Sequence, residues 1–326
     1  MADIIIASRE APAWWQEHAE VRCSDAVKDI DALVAATYRA QQQGRGLTLS
    51  PGAYHLDSPW VVEGDQIKSV RGAGQCYLRS ARGYDGWIMR CSELRRAEVA
   101  GLGFTGQGTG CGMLIHGCHD STFARLHMCN TPSAIHLSNG WCTYFDALRV
   151  DWCGNAERRL AGPLVEMHSF SGHLRGLAMT RNHSQAPSLV VDGTAEVSNV
   201  AIERSQSEGP IVQFSGRHSR VARLHFEGNK APVQVRAVDC RQCEITGLSL
   251  GGSESSAVEV GVLVERSQQT RVDGVIVTHC RDAVVRIGPK CVGCEAERID
   301  LHYPRERYRQ HGIAPRHLVD VVGSRQ

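Results

Sequence analysis

Two glutamates, Glu203 and Glu227, each close a short alternating segment, Val200-Ala201-Ile202-Glu203 and Leu224-His225-Phe226-Glu227. If these segments are strands on adjacent coils, their backbones lie about 5 Å apart. Like charges that close raise one pKa, which is what a general acid needs. A separation of about 5 Å also suits a retaining glycosidase, where one carboxylate attacks and the other protonates the leaving oxygen. Asp151 occupies the equivalent place two coils before Glu203. His225, Arg204 and Arg149 are placed to position a sugar or stabilise charge. The catalytic candidates are therefore Glu203, Glu227 and Asp151, and the glycan-binding candidates are Arg204, His225 and Arg149. A solvated strand face would carry the same residues, with Arg181, Arg204 and Arg223 pairing with the acids at about 0–1 kcal/mol each.

Other chemistries find less support. Cys240-Arg-Gln-Cys243 and Cys291-Val-Gly-Cys294 have the spacing of a zinc site. They fall in coils two apart, with the Thr270 coil between, so the pairs would be separated by roughly 10 Å. That is too far for four sulfurs around one metal, and no metal site or other cofactor is expected. The remaining cysteines of the thirteen are scattered over the repeat and read as reduced core or turn residues. No Gly-x-Ser-x-Gly is present, and Gly106-Gln107-Gly108-Thr109-Gly110 is not followed by Lys-Ser.

The element that positions these residues is a repeat. An apolar-x-x-apolar-x-apolar pattern returns nine times, from Val99-Leu102-Phe104 through Phe123-Leu126-Met128 and Phe145-Leu148-Val150 to Ala296-Ile299-Leu301. Its middle residues are 22 to 29 residues apart. Such a unit cannot bury its own apolar face and must stack on its neighbours. The last three positions alternate, which predicts a strand with one buried face. A second short strand precedes it, as in Met113-Leu114-Ile115 or Ala134-Ile135-His136-Leu137, with turn residues such as Asp192-Gly193 and Ser215-Gly216 between. Two or three short strands per coil without helices predict an all-β chain, a right-handed, single-stranded parallel β-helix of about nine or more coils. In the turns, Asn182 and Asn229 share one position, with Ser205 between them, and can hydrogen-bond along the axis. Independent turn residues would read the same way.

Ahead of the repeats, Ser24 is placed to cap a helix over about 25–43 that buries Val27, Ile30, Val34 and Tyr38 and ends at Gly44. Laid across the first coil, it would block edge-to-edge growth. The expected organisation is an N-terminal segment with this capping helix over 1–46, the β-helix over 47–303, and a C-terminal cap or tail over 304–326.

The 326 residues are 42% apolar and carry 36 basic against 35 acidic side chains. Such balance gives no electrostatic case for nucleic acid or an anionic membrane as a partner. No apolar run is long enough to span a bilayer, and the start lacks the basic and apolar regions of a signal peptide, so synthesis in the cytoplasm is expected.

The helix, then Gly44-Arg45-Gly46-Leu47-Thr48-Leu49-Ser50-Pro51-Gly52-Ala53-Tyr54-His55-Leu56, then Val70-Arg71-Gly72-Ala73-Gly74, resembles the opening of pectate-lyase-like β-helix proteins. The subgroup it most resembles is that of bacteriophage virions: tailspikes, fibres and capsid-surface proteins. Ile4-Ile5-Ile6 and Cys23-Ser24-Asp25 are also similar to phage and prophage members. The resemblance implies a virion protein made in the host cytoplasm, a homotrimer touching other virion proteins and host polysaccharide. Tailspike, fibre and capsid decoration are the roles it offers. A polysaccharide hydrolase or lyase, a depolymerase, is the alternative. The polygalacturonase motifs of the superfamily are missing: Arg286-Ile287-Gly288 lacks the Lys, and Ser171-Gly172-His173 is not Gly-His-Gly. The calcium-binding Asp cluster of pectate lyases is missing too.

Overall fold

The computed structural model describes residues 2–154, 162–251, 258–302 and 316–322. The chain is an all-β parallel solenoid of about ten turns. Every ladder between its named strands is parallel among the described residues, as in Glu98–Thr105 against Thr122–Ala124 and His127–Cys129. Two compact units are distinguished, 1–158 with 171–173 and 159–170 with 174–326.

The spacing of the repeat has a backbone cause. A regular strand would put inward residues two apart, yet the first two anchors are three apart. In each of the nine repeats the residue before the middle anchor is left-handed: Gly101, Arg125, Ala147, Gly176, Asn199, Arg223, Gly247, Gly274 and Arg298, with φ between 48° and 71°. This one residue bends the strand so that the anchors on both sides of it point inward. Within each unit the anchors form the core, all buried from Val99 through Val150 in the first and from Leu174 through Val277 in the second. In the first unit Phe123 lies on Phe145 with centroids 5.1 Å apart and planes at 16°.

A second left-handed position marks a corner of the coil. It is Arg96, Asp120 and Cys142 in the first unit and His218, Gln242, Gln269 and Gly293 in the second. Leu94 and Ala97 flank it at Arg96, and small residues flank it at the other six corners, giving Cys118-x-x-Ser121, Gly140-x-x-Thr143, Gly216-x-x-Ser219, Cys240-x-x-Cys243, Ser267-x-x-Thr270 and Cys291-x-x-Cys294. The two CxxC pairs are thus two occurrences of a corner that also takes Ser, Thr and Gly. The Ser267–Thr270 corner lies between them, with Arg241, Gln268 and Val292 in register. No disulfide joins any of the thirteen cysteines.

In the first unit Ile4–Ala7 pairs with Leu47–Leu49, and the helix Asp29–Gln43 packs on the early strands. The helix starts at Asp29, with Lys28 rather than Ser24 at its N-cap and no side-chain cap. Its buried stripe is Ile30, Leu33, Ala36, Thr37 and Ala40, while Val27, Val34 and Tyr38 are exposed. The small alanines let the helix approach the strands, and Thr37 Oγ1 accepts the buried Trp60 Nε1–H at 2.9 Å. Gly44 ends the helix in the left-handed conformation, as its sequence position implies.

Asp192-Gly193 and Ser215-Gly216 are not turns but lie inside Leu189–Glu203 and Val212–Arg217. Glycine is required there because coils cross closely: a Cβ on Gly216 would sit 2.1 Å from the Gly193 carbonyl oxygen. At the C-terminal end, His317–Val321 pairs with Cys280–Ile287, and most of the expected cap over 304–326 lies outside the described residues. No helix among the described residues is long and apolar enough to cross a membrane.

Candidate functional site

In the second unit Leu189–Glu203 and Arg220–Glu227 are parallel neighbours, and Glu203 is the register partner of Glu227 and Ala201 of His225. His225 and Glu227 are two apart on one strand and therefore share a face, with Nε2 and Oε2 3.6 Å apart. A carboxylate oxygen of each glutamate and a ring nitrogen of His225 all lie within 4.8 Å of one another. Glu227 is 65% exposed, His225 is exposed and Glu203 is half-buried. Two carboxylates and an imidazole at this spacing have the donor chemistry to hold a divalent cation, a grouping the expectation of no metal ligands did not consider.

The acids stand where they do because of the turn that follows each strand. Arg204 and Gly228 are left-handed, and the Arg204 N–H donates to the Glu227 carbonyl at 2.8 Å. Ser205 and Asn229 then point inward and are fully buried. Arg204 contributes its backbone to this turn; among the described residues no ion pair joins Arg204 or Arg223 to Glu203 or Glu227.

Asp151 and Arg149 belong to the first unit, on Trp141–Asp151. Asp151 was expected on the exposed face but is only 8% exposed. The Arg149 guanidinium contacts its Oδ2, and His127 Nε2 lies 3.3 Å from the same oxygen. His127 and Arg149 are register partners on neighbouring coils, so the imidazole and the guanidinium close over the carboxylate from outside. Nearby, Tyr77, Arg125 and His127 line an open groove of about 350 Å³ floored by Gly101 and Gly103. His127 is visible in the sequence as an outward position. Its contact with Asp151 is not, because the contact depends on rotamers across coils.

A second cleft, of about 630 Å³, opens on the first unit beside Trp141 and His119. Sequence reasoning missed it. The repeat pattern tracks inward anchors, and this cleft is made by outward corner residues.

No protein-family model matches the chain, and no curated protein matches it. Solved structures do. The endo-xylogalacturonan hydrolase of Aspergillus tubingensis aligns with 98% of this chain and 95% of its own, at 10% identity and a TM-score of 0.60. The A-module of an Azotobacter vinelandii mannuronan C-5 epimerase aligns with 91% of this chain and 96% of its own, at 12% identity and 0.55. The enzymatically active domain of tailspike protein 2 of bacteriophage CBA120 aligns with 88% of this chain and 48% of its own, at 10% identity and 0.57. At such identities the likeness is one of fold, and it bears out the resemblance to pectate-lyase-like β-helix proteins, phage tailspikes among them.

Proposed function

We propose that this chain is a β-helix protein of a phage virion, a tailspike, fibre or capsid-decoration subunit, whose outer face contacts host surface glycan. What supports this reading is the set of exposed, coil-spaced polar and aromatic side chains, carried on a fold similar to that of a phage tailspike domain. Stacked coils hold such groups at about 4.8 Å intervals without reorganisation, which matches the demands of a repeating ligand. Assembly as a homotrimer and contact with other virion proteins belong to the same proposal.

A second reading, glycoside cleavage, is favoured by one observation: the in-register Glu203 and Glu227 with their donor atoms within 4.8 Å. Carboxyl groups about 5–5.5 Å apart fit a retaining mechanism. One glutamate would attack the anomeric carbon while the other protonates the leaving oxygen, with His225 at hand to hold a hydroxyl. The solved hydrolase and the tailspike's enzymatically active domain carry comparable folds, which gives this reading its context.

The test is made on purified virions, with labelled antibody in the electron microscope and a sugar-release assay on the same particles. Protein at regular sites on the head without sugar release makes it a decoration subunit. Protein on the tail with sugar release makes it a depolymerase. Particles that lack the protein overturn the virion reading.

A further inference from the structure

The outer corner of three consecutive coils in the first unit carries Arg95, His119 and Trp141 as register partners along the axis. Each precedes a left-handed residue, Arg96, Asp120 or Cys142. Backbone bonds between coils fix the column: His119 N–H to Leu94 O at 2.8 Å, Trp141 N–H to Cys118 O at 3.0 Å and Asp120 N–H to Trp141 O at 3.0 Å. The His119 and Trp141 rings are 6.4 Å apart and tilted by 34°. Beside them lies the 630 Å³ cleft, completed by Asp65 and Lys68 from the preceding coil.

Two properties of this cleft point to a ligand. Trp141 is 65% exposed, leaving a large flat apolar face in water. Arg95 and Arg96 are exposed and, among the described residues, neither has a carboxylate within ion-pair distance. The Lys68 ammonium donates to the backbone carbonyl of Asp65 at 2.6 Å and, among the described residues, has no carboxylate within ion-pair distance. An aromatic wall with a few polar groups of fixed position is the usual make-up of a small-molecule site, and a volume between about 300 and 1,000 Å³ is typical.

We propose that this cleft binds an oligosaccharide that carries carboxylate groups. The apolar face of one pyranose ring stacks on Trp141, while the carboxylate of a neighbouring sugar meets the guanidinium of Arg95 or Arg96, whose planar fork matches it. Asp65 and Asp120 accept hydrogen bonds from sugar hydroxyls, which carboxylates do without needing a counter-charge from the ligand. Arg95 and Trp141 are two coils apart, roughly 10 Å, so the column spans a disaccharide unit. The proposal rests on the glycan-contact reading above, adds a site and a charge class to it, and makes no use of Glu203 or Glu227.

Binding of uronate oligomers (galacturonate, glucuronate and mannuronate) and of a neutral malto-oligosaccharide is measured by calorimetry on the full chain. Trp141→Ala, the Arg95→Ala/Arg96→Ala double variant and a Glu203→Gln/Glu227→Gln variant are compared. All replaced side chains are partly or wholly exposed, and far-UV circular dichroism checks that each variant keeps the fold of the parent. The expected result is binding of at least one uronate oligomer, weakened about tenfold or more by Trp141→Ala and by the arginine double variant, and weakened by added salt. Equal binding of the neutral sugar, or unchanged affinity in both first-unit variants, overturns the inference. Loss only in the glutamate variant overturns it while leaving the glycan-contact reading intact. Absence of binding by every sugar overturns both.

Discussion

Asn229 Oδ1 accepts the backbone N–H of Ser205, one coil earlier, at 2.9 Å. Asn229 Nδ2 donates to the Ile202 carbonyl at 2.7 Å, and Ser205 Oγ accepts the Asn182 N–H at 3.4 Å. Each ladder residue follows its acid by two positions, Ser205 after Glu203 and Asn229 after Glu227, so the buried ladder sets the register of the exposed pair. Asn229→Ala deletes two buried hydrogen bonds and leaves the Ser205 N–H without this acceptor. The expected cost is roughly 2–4 kcal/mol in urea unfolding, at about 1–2 kcal/mol per bond lost from a buried group. A cost below about 0.5 kcal/mol would mean that the ladder does not hold the turn.

The left-handed bend before each middle anchor gives a prediction free of packing. At Gly247 the nearest atom to an added Cβ is 3.7 Å away, so Gly247→Ala meets only the conformational penalty. That is about 1–2 kcal/mol for an L-residue in this region. The reverse change at exposed Ala147, φ 53°, relieves the same strain, and Ala147→Gly is expected to raise stability by a few tenths to about 1 kcal/mol after the entropy of glycine is subtracted. Urea midpoints that move in the same direction for both variants would contradict the bend as the source.

The cysteine corners make a chemical prediction. Burial pushes the Cys23, Cys76 and Cys153 thiols up to about 12 and those of Cys118 and Cys280 to about 11. The Cys240 thiol hydrogen-bonds Cys243, which lowers Cys243 and raises Cys240. Since the coil between the pairs uses Ser267 and Thr270, the double change Cys291→Ser with Cys294→Thr copies an occupant the corner already accepts. It is expected to leave the unfolding midpoint within about 0.5 kcal/mol. Unfolding of this variant, or stoichiometric zinc released from the parent protein by a thiol reagent, would restore a metal role for the pairs.

The anchors from Val99 to Ile299 were legible because the fold repeats one inward pattern, and inward residues are chosen for apolarity alone. The bend itself was not legible, since Arg125, Ala147 and Arg223 fill it as readily as Gly101 or Gly247, and side-chain type does not announce backbone handedness. The helix face was misread for a related reason. Val27, Val34 and Tyr38 are the larger apolar residues, but close packing on the strands selects Ala36 and Ala40. Glu203 and Glu227 could be paired from the repeat length. The burial of Asp151 could not, because it depends on His127 and Arg149 folding over it from two coils.

Acid stability has an identifiable contributor in Asp273. Its carboxylate is buried between Arg298, which bonds both oxygens, and Arg271 at 3.6 Å. The Arg298 hydrogen bonds and charge hold its pKa below the usual carboxylate range, against the opposing pull of desolvation. A lowered folded pKa means that the unfolded chain binds the proton first as pH falls. The stabilisation is therefore complete above the ordinary carboxylate pKa of about 4 and is lost as pH falls through the lower folded value. Asp273→Asn is expected to be less stable than the parent at neutral pH and to lose less on acidification, so the two curves of Tm against pH converge at low pH. Parallel curves would show that Asp273 carries no such linkage.

The glutamate pair is separable from the fold, because both side chains stand on the outside of a register that Ser205 and Asn229 fix from within. Glu203→Gln and Glu227→Gln keep shape and hydrogen bonding while removing charge, and each is expected to shift the unfolding midpoint by no more than about 0.5 kcal/mol. If the pair cleaves glycan, each change removes either the nucleophile or the proton donor, and reducing-sugar release should fall by about a hundredfold or more. Release that is unchanged in both variants takes the pair out of any mechanism and leaves the chain as a binding subunit.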